Sequence, residues 1–100
     1  MLLEELYAYK QLVALNYELE QQIKQGDTDC KPQLREVKQK LGKISDFILG
    51  CSDPLIREIM LLRFTRFMSW ESIAAKIGGY NSAGSCRMLV LRYVGRENRK

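Results

Sequence analysis

The spacing of Leu34, Val37, Leu41, Ile44 and Ile48 sets the tightest limit on how this chain can fold. Steps of 3-4-3-4 residues put all five on one stripe of a helix, the a/d seam of two heptads. Such a seam needs a second helix to cover it. Upstream, Leu2 to about Gln25 contains neither Pro nor Gly, and apolar residues recur at Leu2, Leu6, Tyr9, Val13 and at Leu12, Leu15, Leu19, Ile23. This predicts one long helix with a wide apolar stripe. Gly26, Asp27, Thr28 and Asp29 end it, and Pro32 suits the first turn of the helix that carries the seam. With so short a connection the two helices are expected to form an antiparallel hairpin. The alternative is that Leu34, Val37, Leu41, Ile44 and Ile48 meet their own copy across a dimer axis or dock a partner.

A second break, Gly50 to Pro54, supplies Asp53 as N-cap and Pro54 as first helical residue. The helix predicted from there to about Arg66 points Ile56, Ile59, Met60 and Phe64 one way, broadened by Leu55 and Leu62, and reads as a core scaffold. Ser69 caps a short helix whose buried face is expected to be Trp70, Ile73, Ala74 and Ile77, with Glu71 at its positive end and Gly78 or Gly79 as its stop. Asn81 or Ser82 then starts a last helix to about Val94, with Cys86, Leu89, Val90 and Tyr93 inward. Gly95 and the polar residues after it read as a frayed end. No segment reads as a strand. The expectation is an all-α chain: a helical hairpin over 1–50, a three-helix unit over 51–95 and a basic tail over 96–100.

One hundred residues suit one ordinary domain. No apolar run approaches the roughly 20 residues of a membrane span, and MLLEELYAYK is acidic where a secretory signal is basic. A cytoplasmic protein is expected. Cys30, Cys51 and Cys86 are odd in number and lack C-x-x-C spacing, and histidine is absent, so no metal site is expected and the thiols read as reduced. Without His, a phosphate loop or paired carboxylates, neither catalysis nor a cofactor is expected. Charge is the informative quantity. Residues 1–29 hold two bases against six acids, net −4; residues 30–50 hold five against two, net +3; residues 51–100 hold nine against four, net +5. The acidic front and basic back are either faces that attract each other or a nucleic-acid surface beside a separate acidic element.

Residues 53–94, DPLIREIMLLRFTRFMSWESIAAKIGGYNSAGSCRMLVLRYV, resemble the helix-turn-helix of sigma-70 region 4. They are similar, too, to the small sigma-like proteins of phages and prophages of Gram-positive bacteria, including late-gene activators of the RinA and ArpU type. The likeness rests on Leu62-Arg63-Phe64 ending the scaffold helix, Ser69-Trp70-x-x-Ile73-Ala74, the terminating Gly78, and Arg92-Tyr93 late in the final helix. It implies a cytoplasmic transcription regulator that binds double-stranded DNA, with its final helix in the major groove. Carried over by position, it assigns Ser82, Ala83, Ser85 and Arg87 to base edges, with Arg87 suited to guanine O6 and N7. Ser69, Asn81 and Arg92 fall to phosphates, and Lys76 is a further phosphate candidate. The acidic hairpin would dimerise or contact RNA polymerase.

Two features depart from that pattern. The connection from Gly78 to Asn81 is at the long end of the usual range, and Gly84, Met88 and Leu91 lie opposite the inner stripe, where a reader offers polar groups. The competing reading is a helical protein-interaction module, an adaptor or a phage-encoded inhibitor of a host protein, that grips its target with Met88, Leu91 and the N-terminal apolar stripe. Exposed Ser85 and Arg87 with a covered Met88 favour DNA; an exposed patch of Met88 and Leu91 favours a protein partner.

Overall fold

A computed structural model describes all of residues 1–100. The chain is all-α. Its helices are α1 (Leu3–Tyr7), α2 (Tyr9–Lys24), α3 (Lys31–Leu49), α4 (Pro54–Met60), α5 (Trp70–Ile77) and α6 (Ala83–Glu97), and a π-helical turn over Leu61–Thr65 extends α4. No helix is long and apolar enough to cross a membrane.

Helices α2 and α3 form the hairpin. Glu20 pairs with Lys38 at 3.0 Å, while Leu12 and Ile44 border one depression near the other end, so the two run antiparallel. Of the seam, Val37, Ile44 and Ile48 are buried and Leu34 and Leu41 half-buried within this single chain. The chain therefore spends its heptad stripe on its own fold, and Val37, Ile44 and Ile48 offer no surface to a dimer or partner. The apolar residues the hairpin leaves outward are Val13 and Tyr17 on α2 and Leu49 at the end of α3.

One core joins the halves. Leu6, Ile44 and Ile48 pack in the same cluster as Ile59, Phe64, Ile73 and Val90, so the boundary at residue 50 divides charge more than packing. The far end of the hairpin, around Leu19 and Val37, projects from that cluster. The molecule is accordingly elongated, 53 × 31 × 18 Å with a radius of gyration of 15.9 Å, against about 13 Å for a compact chain of this length.

Three expectations from local pattern need correction. The long N-terminal helix is broken at Ala8, whose φ and ψ are −74° and −9°. This bend lets Leu6 reach the C-terminal core, fully buried, while α2 keeps to α3. The scaffold helix stops at Met60 rather than Arg66. Its continuation is wound more loosely: Arg66 N–H reaches Leu61 O at 3.2 Å, and the Thr65 hydroxyl donates to the same carbonyl at 2.6 Å. Ile56, Ile59, Met60, Leu62 and Phe64 are all buried, and a segment apolar on every side becomes the centre of the bundle. At the other end, Gly95 does not stop the last helix, which runs to Glu97. Glycine in a helix costs about 1 kcal/mol relative to alanine, and the buried Val94 beside it holds the turn in place.

Local chemistry sets the helix starts. Asp53 accepts from the Leu55 and Ile56 amides at 2.9 and 3.2 Å ahead of Pro54. Ser69 accepts from Ser72 N–H and Ser82 from Ser85 N–H, each at 3.1 Å. These caps satisfy amides that α4, α5 and α6 would otherwise leave unpaired.

Candidate nucleic-acid interface

Short α5 depends on its neighbours. Its eight residues are too few to hold a helix in water, and Ile73, fully buried, ties it to Cys86 and Val90 of α6. Gly78 and Gly79 follow with φ of 74° and 68°. These left-handed residues, which glycine tolerates best, turn the chain into Asn81, whose side-chain amide donates to Gly78 O at 3.4 Å. Ser82 then caps α6.

Trp70, expected in the core, is only half-buried. Its ring lies under the Arg63 guanidinium, 4.6 Å from the centroid. Arg63 also sits 5.3 Å from the Tyr7 ring centroid, donates twice to the Tyr7 hydroxyl at 3.3 Å, and donates to Met68 O at 2.9 Å. Tyr7 in turn meets Phe64 edge-on at 5.0 Å. One guanidinium thus ties α1, the α4–α5 connection and α5 together, using a planar group that stacks on aromatic rings and donors spread in a fixed fork, neither of which lysine's compact ammonium offers. The sequence marks Arg63 only as a helix-ending residue; Tyr7, its main partner, is 56 positions away. The connection itself is strained at Phe67, the one non-glycine residue at positive φ, 60°. Phe67 is exposed, with Lys10 Nζ 5.4 Å from its ring centroid.

The sequence-predicted contact residues divide into three kinds. Ser85, Arg87, Arg92 and Lys76 are exposed, and no carboxylate pairs with any of these three bases. Ser69, Asn81 and Ser82 lie at the ends of α5 and α6, each already holding the local bond described above. Ala83 is half-buried and turns partly inward. Met88 is 42% exposed, beside a half-buried Leu91. The outward face of α6 is therefore mixed: Ser85 and Arg87 are free as a DNA reader requires, and Met88 is not covered.

Charge is more one-sided than these positions suggest. Of the nine bases in residues 51–100, Arg57 donates to Cys51 O at 2.9 Å, Arg63 is engaged as described, and Lys100 pairs with Glu97 at 3.1 Å. Arg66, Lys76, Arg87, Arg92, Arg96 and Arg99 remain exposed with no ion pair. Sequence pattern singles out half of these and misses Arg66, Arg96 and Arg99, the last two because Gly95 reads as the end of the helix.

Two titrating groups sit behind this surface. Burial pushes the Tyr93 hydroxyl up to about 12, helped by Cys51 next to it, and burial also raises the Cys86 thiol. Both stay protonated near neutrality and add no charge to the face. All three thiols are free.

No protein family, curated protein or solved structure matches this chain.

Proposed function

We propose that this protein is a sequence-specific, double-stranded-DNA-binding transcription regulator of sigma-70 region 4-like type, of phage or prophage origin. The observation that carries the reading is the exposed first half of α6, with Ser85 and Arg87 free of partners, among six exposed and unpaired bases. In this reading α5 braces α6 across the major groove as a helix-turn-helix. Arg87 reads a base edge and Ser85 a neighbouring one. Arg66, Lys76 and Arg92 neutralise phosphates, and Ser69 and Asn81 add contacts at the helix ends. Binding, not chemistry, is the mechanism. Since Val37, Ile44 and Ile48 of the α3 stripe are buried, contact with a second copy or with RNA polymerase would use the apolar residues the hairpin leaves exposed, Val13, Tyr17 and Leu49.

Selection of purified protein on a random-duplex library, followed by titration of the winner at two salt concentrations, tests the proposal. The expected result is a winner bound at least about 10³-fold tighter than random DNA. Arg87→Ala should then weaken that complex by about 1–3 kcal/mol and relax preference at one position. An equal loss on all sequences would make Arg87 a phosphate contact; absence of any preferred sequence would overturn the reading. A second reading, a module that grips a host protein, is favoured by one observation, the exposed Met88. Met88→Glu separates the two, abolishing protein capture while leaving phosphate-driven DNA affinity reduced but present.

A further inference from the structure

We infer that the C-terminal half of α6 is a second DNA-contacting surface, in which Arg92, Arg96 and Arg99 form a row that seats on the phosphate backbone beyond the groove. This rests on the DNA-binding reading above.

Length supplies the first reason. Helix α6 has 15 residues, so it spans about 22 Å at 1.5 Å per residue. A recognition helix reads bases with its N-terminal residues, and the groove it lies in winds away from a straight helix. With its first two turns at base edges, α6 carries its last two past the groove rim and over a strand of phosphates.

The residue pattern there matches that position. Arg92, Arg96 and Arg99 recur at i, i+4 and i+7, one face of the helix and of the turn that follows it, and all are exposed. None has a carboxylate within ion-pairing distance, and Glu97, the one acid on α6, is held by Lys100 at 3.1 Å. Planar guanidinium forks suit phosphate oxygens, which they engage two at a time. The three arginines border a depression lined also by Ile56, Leu89, Leu91 and Gly95.

Gly95, like Gly42 under no steric demand from this chain, leaves room beside the arginines for a backbone to approach. A helical glycine costs stability relative to alanine, yet a Cβ built at Gly95 would meet nothing within 4 Å, and its φ is not in the left-handed region. No atom of this chain requires the missing side chain. What it provides is clearance toward whatever lies above the arginines, the close approach that a helix lying on a backbone needs. An acidic peptide would satisfy the charges too. Duplex DNA is the occupant the surface favours, because the row continues the face of α6 that carries Ser85, seven residues before Arg92 and eleven before Arg96.

The test measures binding of a labelled duplex of the selected sequence, and of a scrambled one, against salt concentration. The proteins are wild type, R96A/R99A, R96K/R99K and G95A, with G42A as control. Gly42 is exposed in the middle of α3 and has nothing within 4 Å of an added Cβ. R96A/R99A should weaken both duplexes equally and flatten the slope of log K against log salt by about 2, close to 0.9 for each phosphate no longer neutralised. R96K/R99K should keep most of that slope. G95A and G42A should both raise Tm, but only G95A should lower affinity for DNA. Wild-type binding with an unaltered slope in R96A/R99A, or a G95A protein that binds as well as wild type, overturns the inference alone. A wild type that binds no duplex overturns the DNA-binding reading and this inference with it. Loss of poly-glutamate binding in R96A/R99A with DNA affinity unchanged would assign the row to an acidic protein instead.

Discussion

The hairpin and the C-terminal helices carry comparable numbers of bases, seven in residues 1–50 and nine in residues 51–100, and differ in the acids set among them, eight against four. In the hairpin, acids are within reach. Lys38 meets Glu20 and Lys40 meets Glu36, at 3.0 and 3.3 Å, and Lys10 lies over Phe67, while Lys24, Lys31, Arg35 and Lys43 are exposed without an ion pair. In the C-terminal half, where only four acids are present, six bases face water alone. A net charge of +4 would say little if it were spread evenly, but residues 1–50 carry net −1 and residues 51–100 net +5, and the DNA-binding proposal draws on that imbalance. The two regions also differ in what holds them. The C-terminal helices share the main core with α1 and the near end of α3, whereas Leu19 and Val37 of the distal hairpin lie outside that cluster.

The largest test of this contrast is Phe64→Ala. Phe64 is 2% exposed at the junction of both halves, and its truncation should cost about 3–5 kcal/mol. If the core is shared, melting followed by circular dichroism should show both halves lost in one transition. A hairpin that outlives the rest, seen as persistent amide protection in α2 and α3, would make it an independent unit.

Arg63→Met comes next. It removes the bond to Met68 O and the stacking on Trp70 and Tyr7 while keeping a long side chain, so a loss of about 1–3 kcal/mol is expected. Amide exchange should quicken in α1 and around Phe67 before it does in α6. Uniform quickening would deny Arg63 its role as the tie between them.

In the opposite direction, Gly42→Ala on the exposed face of α3 should stabilise the chain by up to about 1 kcal/mol. Protection should rise mainly in the distal hairpin.

Alkaline titration probes the core side of α6. Tyr93, packed 5.5 Å from Phe47, has its folded pKa raised from 10.0 to about 12 by burial. A raised folded value means that its contribution is complete below about pH 10 and is lost as pH climbs toward 12. Ultraviolet titration should therefore find one tyrosine of the five ionising last, and Tyr93→Phe should remove that step.

The smallest effect belongs to the hairpin's surface pair. The hydrogen bond and charge of Lys38 lower the Glu20 pKa below 4.5. Its contribution is present above that value and fades as pH falls through the lowered one. Lys38→Met should move the Glu20 carboxyl resonance midpoint upward in an NMR titration, with little change in Tm, as exposed pairs generally behave.

Much of the fold was legible in the residues. Pro32 and Pro54 in first turns, Asp53, Ser69 and Ser82 as caps, and Gly78 as a stop act through their own backbone neighbours, and local spacing exposes them. The exposed side of α6 was legible in part for the same reason: the exposure of Ser85, Arg87 and Arg92 follows from the helix that Ser82 starts. Trp70 was not. Its 3.6-residue spacing with Ile73 and Ile77 marks it as inward, but periodicity cannot say that an arginine from the preceding segment occupies the space above its ring. Arg96 and Arg99 lie beyond a glycine that local pattern marks as a stop, although its cost of about 1 kcal/mol is smaller than what buried Val90 and Val94 contribute to holding the turns around it.

By itself, then, the sequence determined the helical segments, their caps and the division of charge, because each depends on residues within one or two turns or on composition alone. The tertiary structure decided the bend at Ala8, the loosened turn at Leu61–Thr65, the internal use of the α3 seam and the arginines left bare on α6. Each of these depends on which apolar surfaces meet. Burying Leu6 and Phe64 in one core requires contacts between segments dozens of residues apart, and no local preference specifies them.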